Sequence, residues 1–375
     1  MSQGSHSPSR RHFLQMSGAA VGAAAFGSPL LSRLAQAAEP ALPDFGDIPA
    51  NLKGSGEVRV VAFGGSGQAA QRKAYFEPFE KLTGIKVVDL EGSDPNKLKA
   101  MVDTGNVEWD VMLSSRGTIL RLAALGNYFE PIDYGLVDVA NIPEIFRHPL
   151  GLDVLGFAHT IAYRKDVLKE GPKNWADFWD LNRFPGARTL PTGVGSGIPP
   201  LVGALLADGV APNDIYPIDL DRAFASLDKI KSKVVKWWDT EAMPIQMLVD
   251  KEVDLAVASN GRLVQLQRDG VPAEIVWDGG TLTNNAWVVP KGAKNVANAM
   301  KFIAFSTLPI SQARASILVP YGFVNTAAAK YIPADVLASL PTSPGNVERL
   351  IPYDYAWWMQ NKPKVERRWT EWVLQ

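Results

Sequence analysis

The chain has 375 residues, 38 of them basic and 39 acidic, a net charge of −1, and no cysteine. That composition excludes disulfides, thiol nucleophiles and thiolate metal sites, and it gives no general attraction to nucleic acid or anionic lipid. Only four histidines are present, and His6 and His12 lie so near the N-terminus that His148 and His159 alone remain for a later site, too few for a zinc centre. Eleven tryptophans suit a protein that stacks on a ligand or caps a cleft, besides packing its cores.

The chain opens on Ser9-Arg10-Arg11-His12-Phe13-Leu14-Gln15, followed by an apolar stretch rich in Ala and Gly. Paired arginines directly before Phe-Leu form a twin-arginine export signal. The apolar run over residues 16–34 is interrupted by Ser28, Pro29 and Arg33 and is too weak to anchor as a transmembrane helix. Ala35-Gln36-Ala37 supplies the small-x-small pattern of a leader peptidase site, so residues 1–37 read as a signal peptide cleaved before Ala38. The expected partner in export is the twin-arginine translocase, and the expected destination is the periplasm. About 340 residues then remain, enough for two lobes or one large α/β domain. Losing three basic residues with the leader moves the net charge to about −4.

Residues 38–55, rich in Pro, Ala and Gly, read as an extended arm. An apolar strand over 58–63 ends at Gly64-Gly65-Ser66-Gly67, and residues 68–82 follow with helical spacing that groups Ala70, Tyr75, Phe76 and Phe79. Gly84 stops that helix before a strand over 85–90. A helix over 95–103, a strand over 109–113 and a helix over 117–125 continue the alternation. Strands and helices joined by short Gly-containing turns predict a parallel sheet covered on both faces.

After a break come a strand over 154–163 and a helix starting at Asn174. Residues 191–200, dense in Gly and Pro, form a loop. Residues 221–230 are amphipathic, with Ala223, Phe224, Leu227 and Ile230 on one side. Strands over 253–258 and 273–277 flank a helix over 262–268. Trp287-Val288-Val289-Pro290 leads into a helix over 296–305, and the tail over 353–374 is helical, with Trp357, Trp358, Trp369 and Trp372 on its apolar face. There is no internal repeat.

The turn at 64–67 is the strongest local signal for chemistry. Between a strand and a helix, its backbone N–H groups favour an anion. Gly65-x-Gly67-x-x-Ala70, with Asp89 near the end of the next strand, also fits a loose dinucleotide fingerprint, so an exported NAD(P)-dependent oxidoreductase stands as the rival reading. A hydrolase does not. No G-x-S-x-G elbow occurs, and no histidine follows His159. Asp89 and Asp110 flank strands, where carboxylates more often hold main chain than catalyse. No catalytic constellation emerges.

Several segments resemble bacterial extracellular solute-binding proteins of ABC importers, in the spermidine/putrescine-binding group. They are Tyr75-Phe76-Glu77-Pro78-Phe79-Glu80-Lys81-Leu82-Thr83-Gly84-Ile85-Lys86-Val87, Trp109-Asp110-Val111, Leu125-Gly126-Asn127-Tyr128-Phe129-Glu130-Pro131-Ile132-Asp133 and Asn174-Trp175-Ala176-Asp177-Phe178-Trp179. Phe184-Pro185-Gly186, Ser259-Asn260-Gly261-Arg262, Val289-Pro290-Lys291-Gly292-Ala293-Lys294-Asn295 and Tyr321-Gly322-Phe323-Val324-Asn325 agree as well. The resemblance implies an α/β, two-lobed periplasmic-binding-protein fold of the Venus-flytrap, type II-like kind, with crossing hinge strands. Lobe 1 would hold residues 56–157 and 288–375, and lobe 2 residues 158–287. It further implies a monomer with no cofactor and no chemistry of its own, which traps a small solute in the cleft and delivers it to permease subunits.

Carried over position by position, the resemblance puts Gly65, Ser66, Gly67 and Ser115 on lobe 1 and Arg262 on lobe 2, with Asn285 and Tyr321 beside them as ligand contacts; Trp237-Trp238-Asp239, before another helix in the second lobe, adds Trp238 as a ring and Asp239 as an acid. Polyamine binders place a Trp in the first turn, which here is Gly64-Gly65-Ser66-Gly67. They place a Trp and often an acid at the ends of the segment that here reads Ser259-Asn260-Gly261-Arg262, and an acid near Asn285. These departures disfavour a polycation, since a cleft arginine repels protonated amines. They favour a carboxylate, and with Asp239 opposite, a zwitterion such as an ω-amino acid. A polyamine receptor remains the alternative.

Overall fold

The computed structural model of the protein describes residues 40–194 and 200–375. The twin-arginine leader, its cleavage site and the centre of the Gly/Pro loop lie outside the described residues.

Three strands open the fold: β1 (Glu57–Ala62), β2 (Lys86–Glu91) and β3 (Val111–Ser115), with β1 between the other two and parallel to both. Between β1 and β2 the chain is helical from Gly65 to Thr83, passing through a π-helical turn at Arg72–Phe76. Gly84 ends it in a left-handed conformation at φ 82°. A Cβ there would lie 2.9 Å from the Gly54 carbonyl oxygen, so only glycine fits. Asp94 caps the next helix, Pro95–Thr104, by accepting from the Asn96 N–H at 2.7 Å, with Pro95 in the first turn, where its missing N–H costs nothing.

Two long strands then tie the molecule together. Fourteen-residue β6 (Gly151–Arg164) and eighteen-residue β10 (Ala273–Pro290) run antiparallel, from Ala273 opposite Arg164 to Trp287 opposite Leu152. Two-residue strands β4 (Phe129–Glu130) and β5 (Arg147–His148) lie before them. One end of β10 pairs with β3, while β6 pairs with β9 (Leu255–Ser259). Beyond β9 lie β7 (Arg188–Pro191) and β8 (Val234–Trp238), both parallel to their neighbours, and β11 (Ile351–Pro352) adds two residues beside β10. The main path is therefore β2-β1-β3-β10-β6-β9-β7-β8. The expected parallel sheet exists as two parallel blocks, but the strands joining them are antiparallel. The stretch expected to end near Trp277 runs on to Pro290, because Gly279 (φ 72°) and Gly280 absorb a register shift without ending the pairing.

Each block has its own core. Val58, Val60, Phe76, Phe79, Trp287 and Phe302 fill the first, where the Phe79 and Phe302 rings meet edge to face at 5.4 Å. The arm reaches this core: Phe45 stacks on Phe305 at 5.1 Å, and Leu52 is buried. Trp175, Phe178, Phe224 and Leu227 anchor the second. The C-terminal helix Tyr355–Val373 was expected with the first lobe, but it buries Trp358, Val365, Trp369 and Trp372 in the second core. Its apolar face was legible; the surface it covers was not.

Candidate functional site

A cavity of about 460 Å³ opens where the crossing strands meet both blocks. One wall begins at the end of β1, with Phe63 half exposed, and continues through Gly64-Gly65-Ser66-Gly67. Gly64 and Gly65 take φ of 88° and 66°, a region that side chains resist. The turn is pinned from behind by Gln68, whose Oε1 accepts from the Gly64 N–H at 2.8 Å and whose Nε2 donates to the Leu90 carbonyl at 2.8 Å and to the Asp89 carboxylate. Arg72 Nε donates to the other Asp89 oxygen at 2.6 Å. Asp89 is thus engaged with its own fold and is not free to hold a ribose. Asp110 is likewise structural, accepting from the Arg59 and Asn295 backbones at 2.8 and 2.9 Å.

Where Gly67 would carry a Cβ there is only open space. Gly67→Leu should therefore point into the cavity without disturbing the turn. We expect solute affinity to fall at least tenfold, with unliganded stability equal or up to about 1 kcal/mol higher, because leucine favours a helix more than glycine does. Calorimetry and thermal melts on one preparation check both.

The facing wall comes from β9 and the helix Asn260–Arg268 that follows it. Asn260 is fully buried and fixes this junction: its Oδ1 accepts from the Ala158 N–H at 2.9 Å and its Nδ2 donates to the Pro320 carbonyl at 2.8 Å. Tyr321 is thereby seated beside Gly261, where a Cβ would come within 2.9 Å of its ring. Burial raises the Tyr321 pKa, with Arg262 opposing and Glu241 reinforcing the shift, so the hydroxyl stays a donor at neutral pH. Arg262, in the first turn, is exposed and lines the cavity; among the described residues it makes no hydrogen bond or ion pair. Phe157 and Asn285 line the floor from β6 and β10.

Of the nine expected contacts, Gly65, Ser66, Gly67, Arg262, Asn285 and Tyr321 lie on this one cavity. Three do not line it. Ser115 caps the helix Arg116–Leu125, its Oγ accepting from the Thr118 N–H at 3.3 Å. Trp238 is fully buried, donating to the Val257 carbonyl at 2.9 Å. Asp239 is exposed outside the lining. The cavity's acid is instead Glu241, two residues on. Its Oε1 lies 2.7 Å from His159 Nε2, and the His159 ring in turn stacks on Trp238 at 6.1 Å. Trp238 therefore supports the acid from beneath. Burial alone would raise the Glu241 pKa, but His159, the nearby Ser259 hydroxyl and the Arg262 charge outweigh it and hold the carboxyl below its ordinary value.

Sequence reasoning also missed Phe63, Gln71, Tyr75 and Phe157. Gln68, Gln71 and Tyr75 do recur at helical spacing on an otherwise apolar face, a signal that could have found them. Nothing local distinguishes Glu241 from Asp239. No tryptophan lines the cavity among the described residues; Phe63, Tyr75, Phe157 and Tyr321 supply the rings. The expectation that the tryptophans serve a ligand is thus corrected: nine of the eleven are buried. Among the described residues no group of three or more acids and histidines could hold a metal, and no helix is long and apolar enough to cross a membrane.

Two α/β lobes joined by crossing strands, with a mainly apolar cavity walled from both and carrying one acid and one arginine, define a solute-binding protein. The chain belongs to the bacterial extracellular solute-binding protein family, whose model matches residues 74–342. A gamma-aminobutyric acid-binding protein of Pseudomonas aeruginosa is 37% identical over 330 residues, covering 86% of this chain and 92% of the relative. A spermidine/putrescine-binding periplasmic protein of Salmonella typhimurium is 25% identical over 280 residues, 69% of this chain and 76% of the relative. The crystal structure of an ABC transporter substrate-binding protein from Bradyrhizobium japonicum superposes with a TM-score of 0.76 at 32% identity, over 84% of this chain and 99% of that one.

Proposed function

We propose that this protein is the periplasmic receptor of an ABC importer, exported by the twin-arginine route, and that it carries a small carboxylate-bearing solute, an ω-amino acid in particular, to its permease without chemical change. Lobe 1 would comprise residues 56–157 and the return from 288, with the C-terminal helix assigned to lobe 2. Arg262 carries the reading. A cation in the first turn of a helix opposes the helix dipole by about 0.3–1 kcal/mol, and among the described residues no anion pairs with this one. A ligand carboxylate would supply the missing partner, with the planar two-pronged contact that guanidinium favours. The same charge would repel a protonated polyamine, and the greater similarity to the Pseudomonas aeruginosa relative supports that ordering.

A thermal-shift screen tests it. 4-Aminobutanoate and related ω-amino acids should stabilise the folded protein, by about 2.7 kcal/mol at a hundredfold excess over Kd. Putrescine and spermidine should not. A clear shift with putrescine and none with any carboxylate would return the protein to the polyamine class.

A further inference from the structure

Glu241 and Arg262 are the only charged side chains lining the cavity among the described residues, and they do not pair within 4.0 Å. Glu241 is held in its ionised form by His159, the nearby Ser259 hydroxyl and the Arg262 charge, but only one of its oxygens makes a close hydrogen bond. Oε1 meets His159, while Oε2 is buried without a hydrogen bond. Across the cavity, Gln71 ends the helix Gly65–Gln71. It is only 5% exposed, and its Oε1 is also buried without a partner. The other two cavity glutamines differ in kind. Gln68 holds the glycine turn, and Gln312 donates to the Val154 and Ser306 carbonyls at 3.0 and 2.9 Å while accepting from the Val324 N–H. Buried acceptors left unpaired are costly, and an anionic one more so. Two such acceptors on facing walls of one cavity call for a group rich in donors and positively charged.

We infer that Glu241 and Gln71 form an ammonium subsite, one acceptor from each wall, so that an amine-bearing solute draws the two walls together. The inference rests on the solute-receptor reading, and it explains how the cavity accepts an amine although Asn285, where polyamine binders carry an acid, is neutral. A three-donor ammonium satisfies Glu241 Oε2 and Gln71 Oε1 together, and its charge balances Glu241 as a carboxylate would balance Arg262. The substrate class narrows accordingly: amino carboxylates are preferred over simple carboxylates of the same length.

The test uses the mature protein, titrated calorimetrically with 4-aminobutanoate, butanoate and putrescine. The unmodified protein should bind 4-aminobutanoate at least thirtyfold more tightly than butanoate. Glu241→Gln keeps the side-chain size and an acceptor for His159; it should reduce that preference to threefold or less while butanoate affinity holds or improves. Gln71→Met, which removes the amide at similar volume, should cost 4-aminobutanoate about five- to tenfold and leave butanoate unchanged. Melting temperatures confirm that both variants fold. A preference that survives Glu241→Gln, or an equal loss of both ligands, overturns the subsite. If the carboxylate reading fails and putrescine alone binds, Glu241→Gln must still weaken putrescine tenfold or more; unchanged putrescine binding overturns the subsite independently of that reading. Failure of all three probes to bind the unmodified protein overturns it too.

Discussion

Arg262→Ala is expected to weaken a carboxylate solute at least thirtyfold while leaving the unliganded protein as stable as before. Truncating one partner of a buried, hydrogen-bonded charge pair costs about 2–5 kcal/mol, mostly because the other charge is left unpaired. In the unliganded protein there is no such pair to break. The guanidinium is exposed, and among the described residues it has no hydrogen bond or ion pair. Its removal from the first turn should, if anything, relieve an unfavourable interaction with the helix dipole. Arg262→Lys should recover only part of the affinity, because a point-like ammonium lacks the fork geometry. Calorimetry and thermal unfolding on the same variants separate the outcomes. A lowered melting temperature with binding intact would mean that Arg262 serves the fold, not the solute.

Arg116→Ala should be more destabilising at pH 8 than at pH 5, by about 1–1.5 kcal/mol. Arg116 begins the helix Arg116–Leu125 and grips Asp153 of β6 with two contacts, Nη2 to Oδ2 at 2.6 Å and Nε to Oδ1 at 3.2 Å. Asp153 is fully buried, and burial raises its pKa from 3.8 to about 7, with Arg116 pulling in the opposite direction. The folded-state pKa lies above the unfolded one, so between about pH 4 and 7 the native state binds the extra proton. The contribution of this group to stability is therefore present at low pH and declines as pH rises through that window. Without Arg116 only the Asn284 hydrogen bond opposes burial, so the Asp153 pKa rises further, and at pH 8 the folded variant must hold a proton that the intact pair has largely released, which adds about 1–1.5 kcal/mol to the lost hydrogen bonds. At pH 5 Asp153 is protonated and neutral, and only the hydrogen bonds are lost, about 1–2 kcal/mol. Urea unfolding at both pH values measures the difference, and adding Asp153→Asn should remove it. Equal losses at pH 5 and 8 would show that Asp153 does not carry the titration. Asp153 lies opposite Ala286 on β10, so the pair braces the crossing strands next to the cavity floor.

Local pattern reached furthest where the constraint itself is local. The first strand was read one residue off, as 58–63 against Glu57–Ala62, because an apolar, β-branched run closed by glycines leaves its mark within six residues. Asn174, Gly84 and the glycine pair at 64–65 were legible because caps, helix stops and positive-φ turns each admit only a few residue types. The strand β8, by contrast, was missed. Its Val234-Val235-Lys236-Trp237-Trp238 holds its place through neighbours that are remote in sequence, β7 and the tail tryptophans, with Trp237 meeting Trp369 edge to face at 5.1 Å.

For the site the same division holds. From sequence alone came the solute-binding class, the glycine turn, and an arginine where an amine-binding cleft would not want one. Those rest on residue identity at positions that family-like segments align. Which acid faces Arg262 was decided only by tertiary structure. Asp239 and Glu241 share one short connection after β8, and a carboxylate's role there depends on what lies behind it. His159, 82 residues away on the crossing strand, meets Glu241 and not Asp239. The tryptophans teach the same lesson from the other side. A large ring lowers the free energy by leaving water whether it meets a ligand or a core, so composition could count eleven of them but only the packing of the chain could say that nine were already enclosed.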